Sequence, residues 1–525
     1  MKRNSIIKTI GVTAMAFAGL GLFSCSSDDV KAPAQEADGR LTLQLSLEMP
    51  IETRSSTNAN GSSSSSTKDG LENENKISKV DIYFAQVSPQ NDDPSSDEIF
   101  FHLPITEKSE IDPDNNGKII LKKSMSAKAF AFIMAGRKTR LYVVANYTLS
   151  IKDYPTDTKL SFPSAPIEIK DKDKGVEMPM TNKAASDILD FTGKNAEDIL
   201  ALLPDTENGI VDLSKKENPD ATDLSKLGSY GTISLERTYA RLDYKAGVND
   251  NVYPLGETGL YVKVLKMKPV NVSTSEYLFR HTATGDDKAA TGTVTLFGIE
   301  NNDESDKIYN WIADTDWNAK SDSSNGSLPT GFIWTPTSSD SKWTTISGTN
   351  SNSNFNFNST SYTPWYYVSE NTLPSVEKMQ EGLSTGVVFK VILCTNEEGK
   401  KAEKADLEKT STIKVTASGN DLSINYPKYG QTVTAKFEEG GYCLDYYYWI
   451  RHNDKSQSIE ETDPMEFAVV RNNIYQMYIN KFEFFPREYN PEDPDEEPNP
   501  TVQQQEFTVN VKVLPWGWYK ITDEI

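Results

Sequence analysis

The sequence predicts a mainly β protein, built as sandwiches of short strands with a brief helical insertion. Three observations lead there. Segments of alternating apolar and polar residues recur along most of the chain, separated by turn-forming stretches. Helical patterns are confined to a short region, residues 184–203. The two most regular alternating segments lie towards opposite ends, at 41–49 and 507–513. Many short strands with few helices favour a sandwich over a parallel sheet.

The first residues read as a targeting segment. Lys2, Arg3 and Lys8 form a basic start, and residues 10–22 are apolar and rich in small side chains. That run is too short to span a bilayer permanently and has the proportions of a secretory signal. It ends Leu22-Phe23-Ser24-Cys25, which resembles the lipobox of bacterial lipoproteins, where the cysteine is acylated and becomes the new N-terminus. On that reading 1–24 is the signal peptide and Cys25 carries the lipid; the alternative is ordinary signal cleavage beside an incidental cysteine. Ser26-Ser27-Asp28-Asp29 resembles the acidic tag that sends some lipoproteins to the cell surface.

With 525 residues, the chain has room for two or three domains, each with its own core. A formal charge of −22 argues against nucleic acid and anionic membrane surfaces as partners, because both select basic patches. Beyond Cys25 only Cys394 and Cys443 remain, so disulfides are not the scaffold. The pair is either one bridge or two buried free thiols.

In RLTLQLSLEMPIETR (40–54), Leu41, Leu43, Leu45, Leu47 and Met49 alternate with polar residues, which marks a half-buried strand. Arg54 and Ser55 then open a Ser/Asn/Gly run to residue 70 that has no capacity to form a core. An arginine at the border of such a segment is within reach of a trypsin-like protease. Two readings stand side by side: the strand belongs to a removable propeptide, 25–54, or it simply starts the first domain and the serine run is a loop.

The first domain, 55–246, carries strand patterns at 80–86, 118–122, 130–134 and 139–146. Helices are expected at 184–191 and 196–203, the second capped by Asn195 with Asp198 complementing its first turn. Residues 231–245 return to strand and close the domain, with the break falling in the polar stretch 247–256.

The second domain, 247–485, has strand patterns at 259–268, 277–280, 386–393, 411–416, 432–437, 441–450 and 467–485. Between them, 299–364 is polar and holds Trp311, Trp317, Trp334 and Trp343. Aromatics among amides can stack on sugars, giving a monomeric glycan-binding lipoprotein as the rival function; the commoner explanation is a satellite core under long loops.

No catalytic constellation emerges, and the chain is not expected to be an enzyme or to need a cofactor or metal. His102, His281 and His452 are scattered without ligand spacing. Asp112-Pro-Asp114-Asn-Asn116-Gly117 mimics the start of a calcium loop, but Lys123 stands where the bidentate Glu belongs, so a turn between strands is expected. Finally, 486–505 is rich in proline and acids and reads as an extended tether. It leads into EFTVNVKVLPWGW, whose Phe507, Val509, Val511 and Val513 share one face. A strand on a tether need not pair with its own domain, and this one is expected to pair with the next molecule.

Several of these segments resemble the shaft subunits of type V pili, in the minor-fimbrium major-subunit branch. The resemblance is carried by Val470-Arg471-Asn472-Asn473-Ile474-Tyr475, the acidic spacer, and Val511-Lys512-Val513-Leu514-Pro515-Trp516. Residues 79–84, 141–146, Leu235-Glu236-Arg237 with Ala240-Arg241, and the strand ending before Arg54 add to it. It implies two transthyretin-like Greek-key β-sandwich domains and a C-terminal donor-strand extension (486–525, with Trp516 beyond the valines). It also implies a lipoprotein precursor anchored to the outer membrane through Cys25. An arginine-specific surface protease would cut after Arg54 and remove the first strand. Another subunit's C-terminal strand would then fill the groove. The implied partners are copies of itself, head to tail, and accessory anchor and tip subunits; the implied roles are adhesion and biofilm formation in a surface fimbrium.

Overall fold

The computed structural model describes residues 39–49, 68–113, 118–149, 161–163, 167–204, 209–215, 227–286, 288–298, 309–322, 332–333, 343–346, 355–379, 381–452, 465–487 and 506–517. These fall in one compact unit of the chain. Cys25, Arg54 and Ser55 lie outside the described residues, as do Trp334 and most of the tether.

The fold is mainly β, with two sheet systems closing over two large apolar cores. In the first, the strands run spatially Glu98–Ile105, Val80–Gln86, Lys138–Ala145, Met180–Asn182, Ile233–Arg237, Arg40–Glu48, Lys118–Ser126 and Ile111–Pro113. Alternation fills its core from one face: Val80, Ile82 and Phe84 pack with Leu141, Val143, Ile119 and Leu121.

In the second system, Val252–Leu255, Leu260–Val270, Gly386–Cys394, Gly441–Trp449, Gln431–Glu438, Asp421–Tyr426 and Lys414–Ser418 form one antiparallel array. Thr363–Val368, Ala240–Tyr244, Asn473–Phe482 and Phe507–Gly517 lie side by side as another. Leu255 pairs with Phe482 across the two, and both arrays contribute to the same core.

Several expectations are corrected. Residues 130–134 are not strand: Ala127–Met134 is a helix, because Ser126 accepts from the Ala129 N–H at its start and the Ala-rich run favours helix. Residues 184–191 form no helix and end in the short strand Leu189–Asp190, paired with Lys138–Ala145. The second expected helix, Ala196–Leu200, is present, with Asn195 and Asp198 capping each other's backbone N–H at 2.9 Å. Residues 231–245 do not stay together. The first half, Ile233–Arg237, ends the first sheet, and the second half, Ala240–Tyr244, opens the second. The two cysteines are free, and burial raises the Cys394 thiol to about 11 and the Cys443 thiol to about 12.

Where the sheets meet, charge is buried. Glu74, just past Lys68–Asp69, is wholly enclosed and accepts from Arg241 Nη1 at 2.7 and 3.0 Å and from the Tyr367 hydroxyl. Arg237 donates to the Glu74 carbonyl at 3.0 Å and to Asn472 Oδ1 at 3.1 Å. Nearby Arg471 donates to Glu370 at 3.1 Å and to the Tyr277 and Leu278 carbonyls. The motif residues Arg237, Arg241, Arg471 and Asn472 are thus the polar hinge pin between the two sandwiches.

Candidate functional site

The alternation of 41–49 buries what it promises. Leu41, Leu43, Leu45, Leu47 and Met49 are all less than 5% exposed. Arg40–Glu48 pairs antiparallel with Lys118–Ser126 along its whole length, from Arg40 opposite Ser126 to Glu48 opposite Lys118. On its other side it pairs in parallel, first with Gly209–Asp212 and then with Ile233–Arg237. The outward residues are tied in as well: Gln44 Nε2 donates to Asp212 at 2.9 Å, and Ser234 Oγ donates to Glu48 at 2.7 Å. This strand is therefore internal to its sheet. Taking it out would open a slot between Lys118–Ser126 and Gly209–Asp212 and bare five apolar sites.

The terminal strand, Phe507–Gly517, does not project from the molecule. It pairs antiparallel with Asn473–Phe482 of its own chain, from Phe507 opposite Phe482 to Pro515 opposite Asn473, with a bulge between Ile479 and Lys481. The expectation was pairing with the next molecule; in the single chain the strand lies on its own sheet edge. The physical reason is local: that sheet edge offers a ladder of unpaired backbone groups, and an attached strand finds it at high effective concentration. Phe507 is 2% exposed, stacked on Phe482 and approached edge-on by Tyr446 and Phe389. Val509, Val511 and Val513 are only partly buried against the same core. Leu514 breaks the alternation and enters the first core. Trp516 and Gly517 pair in parallel with Lys68 and Asp69.

The two strands differ in how they are held. The first has neighbours on both sides; among the described residues the terminal strand, over 507–514, has one. At its start, Glu506 is half-buried, and desolvation pushes its carboxyl up to about 7 against the opposing pull of Arg487.

The other candidates resolve into structure. Trp311 and Trp317 are buried with Ala313, Met465 and Val470 in a satellite core, and Trp343 lies under the Lys268 and Lys390 ammonium groups. His102 bonds Asp81 at 2.7 Å, His281 stacks on Tyr277, and His452 bonds the Tyr475 hydroxyl at 2.7 Å. Among the described residues no group of His, Cys, Asp or Glu is arranged to hold a metal ion. Sequence reading missed the buried ionic hinge, although arginines recurring inside apolar strands (Arg237, Arg241) were a usable signal.

Residues 436–522 match the family model described as Major fimbrial subunit protein type IV, Fimbrillin, C-terminal. This region of the chain is similar to the C-terminal region of fimbrillins. The fimbrillin match takes in the terminal strand and the edge on which it lies, together with Gly441–Trp449. No curated protein matches the chain. Similar solved structures include a fimbrilin (fimA) from Porphyromonas gingivalis W83, at 13% identity and TM-score 0.40, covering 91% of this chain and 98% of that one. Another is the tip fimbrial protein Mfa3 from Porphyromonas gingivalis with C-terminal truncation, at 9% identity and TM-score 0.33, covering 91% of this chain and 100% of that one.

Proposed function

We propose that the protein is a structural shaft subunit of a surface fimbrium, delivered as a lipoprotein through Cys25 and polymerised by strand exchange after cleavage following Arg54. The observation that carries this reading is the contrast between a doubly paired first strand with its whole apolar face buried and a terminal strand that, among the described residues, is paired on one side over 507–514. Both present a face of apolar residues at every second position, so the terminal strand of one subunit fits the slot that the first strand leaves in another.

Energetics give the exchange a direction. At roughly 1.5–3 kcal/mol per buried large side chain, losing the first strand uncovers on the order of 6–15 kcal/mol of burial. That is comparable to the whole stability of a domain, so a cut subunit is driven to recapture a strand. A terminal strand leaving its own edge gives up one ladder and gains two in the slot, with pockets for alternate side chains. Donor and acceptor lie on different sheets, so the contact is head to tail and propagates into a fibre.

The hinge keeps the cut chain whole. Glu74 and Asn75 are locked to Arg241 and Arg237, so the segment after the cut stays fixed when the first strand departs. The test is Arg54→Ala in the producing cell: the variant accumulates as folded precursor with the first strand retained, and no fibres form. Fibres of normal length from that variant, seen by electron microscopy, overturn the reading.

A further inference from the structure

In the satellite core of the second domain, a lysine is buried with an amide and a carboxyl, and a second, partly exposed carboxyl lies beside them. Lys320, Asp314 and Asn371 are each no more than 1% exposed, and Trp311, Trp317, Ala313 and Val470 shut out water around them. Lys320 Nζ lies 2.7 Å from Asn371 Oδ1, 2.6 Å from Asp314 Oδ2 and 2.7 Å from Asp316 Oδ1, and it also donates to the Thr372 carbonyl at 2.8 Å. The Asn371 side chain cannot turn away, because its Nδ2 donates to the Leu383 carbonyl at 3.1 Å and to Thr385 Oγ1 at 2.8 Å. Asp314 is held from both sides of the loop, accepting from the Thr372 N–H at 2.6 Å while its own N–H donates to Thr372 Oγ1.

We propose that Lys320 and Asn371 join in an intramolecular isopeptide bond, formed by the folded chain itself. The groups present balance the reaction. The Asp314 and Asp316 carboxyls hold the proton on Lys320 against its burial, so the first step is an uphill transfer of one proton from the ammonium to the Asp316 carboxylate 2.7 Å away, leaving a neutral amine. Its lone pair attacks Asn371 Cγ, one bond from the oxygen it already touches. Asp314, whose carboxyl is pushed up by burial and the neighbouring Asp316 charge against the pull of Lys320, serves in its protonated form, handing its proton to the departing amide nitrogen and taking one back from Nζ. The Cγ–Nδ2 bond breaks, ammonia leaves, and a Lys320 Nζ–Cγ amide remains, with Asp314 and Asp316 as carboxylic acids. A buried amine held against an amide in a dry site has the proximity that such a reaction needs. Asp314 is the proton relay; Lys320 is the nucleophile.

The bond would tie residues 309–322 to the segment after Thr363–Val368, closing the long excursion of the second domain where a fibre is pulled. Peptide mapping of the purified full-length chain by mass spectrometry tests it. The expected result is a branched peptide joining Lys320 to Asn371, lighter than its two parts by one ammonia, with protease cleavage at Lys320 lost. Asp314→Asn, which keeps both partners, is expected to leave most of the chain unjoined. Recovery of the two segments as separate, unmodified peptides overturns the proposal. So does a product lighter by one water that joins Lys320 to Asp314 instead.

Discussion

Phe507 lies flat on Phe482, ring centroids 5.4 Å apart and planes 12° from parallel, at the first paired position of the terminal strand. This contact is the deepest anchor of an otherwise half-exposed ladder, and it determines how readily the strand leaves its own edge.

Phe507→Ala should loosen the strand without unfolding the domain beneath it. Truncating a buried phenylalanine costs about 3–5 kcal/mol, and here the loss falls on one edge strand. Hydrogen exchange is expected to speed up over 507–515 and 473–482 while Gly386–Cys394 stays protected; uniform protection in the variant would show that the aromatic stack does not hold the strand.

The first strand behaves oppositely. Leu45→Ala lies at the centre of a doubly paired strand and should lower the stability of the uncut protein by about 2–5 kcal/mol. A thermal melt measures this, and a change within about 0.5 kcal/mol, the range of ordinary surface substitutions, would mean that the strand contributes little to its sheet.

Docking of the terminal strand should weaken as pH rises. Glu506 has its carboxyl raised by burial to about 7, above the ordinary 4.5 that it regains when the strand is free. Between those values the docked state binds more protons than the undocked one. Its contribution is therefore fully present at acidic pH and is lost as pH climbs through about 7. Exchange rates over 507–515, corrected for intrinsic pH dependence, are the readout, and Glu506→Gln should flatten the profile.

Glu74→Gln leaves Arg241 facing Asp243 alone and strips Tyr367 of its charged acceptor. Breaking a buried ion pair from one side costs about 3–5 kcal/mol, so a clear fall in melting temperature is expected. Limited proteolysis should then find new cuts near residues 68–76, because Glu74 holds that segment to the second sheet through Arg241, while Asn75 ties it to Arg237 of the first.

Period-two alternation made the strands at both ends legible, and at 41–49 it also gave the buried side chains, whereas in the terminal strand Phe507 is buried but Val509, Val511 and Val513 are only partly so. The same alternation could not say which strand is internal and which is at an edge, since pairing depends on residues hundreds of positions away. The terminal strand was expected on a neighbour because a proline- and acid-rich tether precedes it, and in the single chain it lies on Asn473–Phe482. Local signals misled where two states share a pattern: AKAFAFIM fits strand or helix until Ser126 caps it, and 231–245 looks like one element until Thr238 and Tyr239 turn it between sheets. The charged hinge was invisible to a search for catalytic groups because its members are spread from Glu74 to Asn472.

The doubly flanked position of Leu41 to Met49 has a consequence for fibre length. If subunits join by the proposed exchange, one left uncut would keep its tail and have no vacancy, so it would be attached at one end only and nothing would be added beyond it. Stray uncut molecules would thus act as stoppers, and the ratio of uncut to cut chains, more than total supply, would set how long each filament grows.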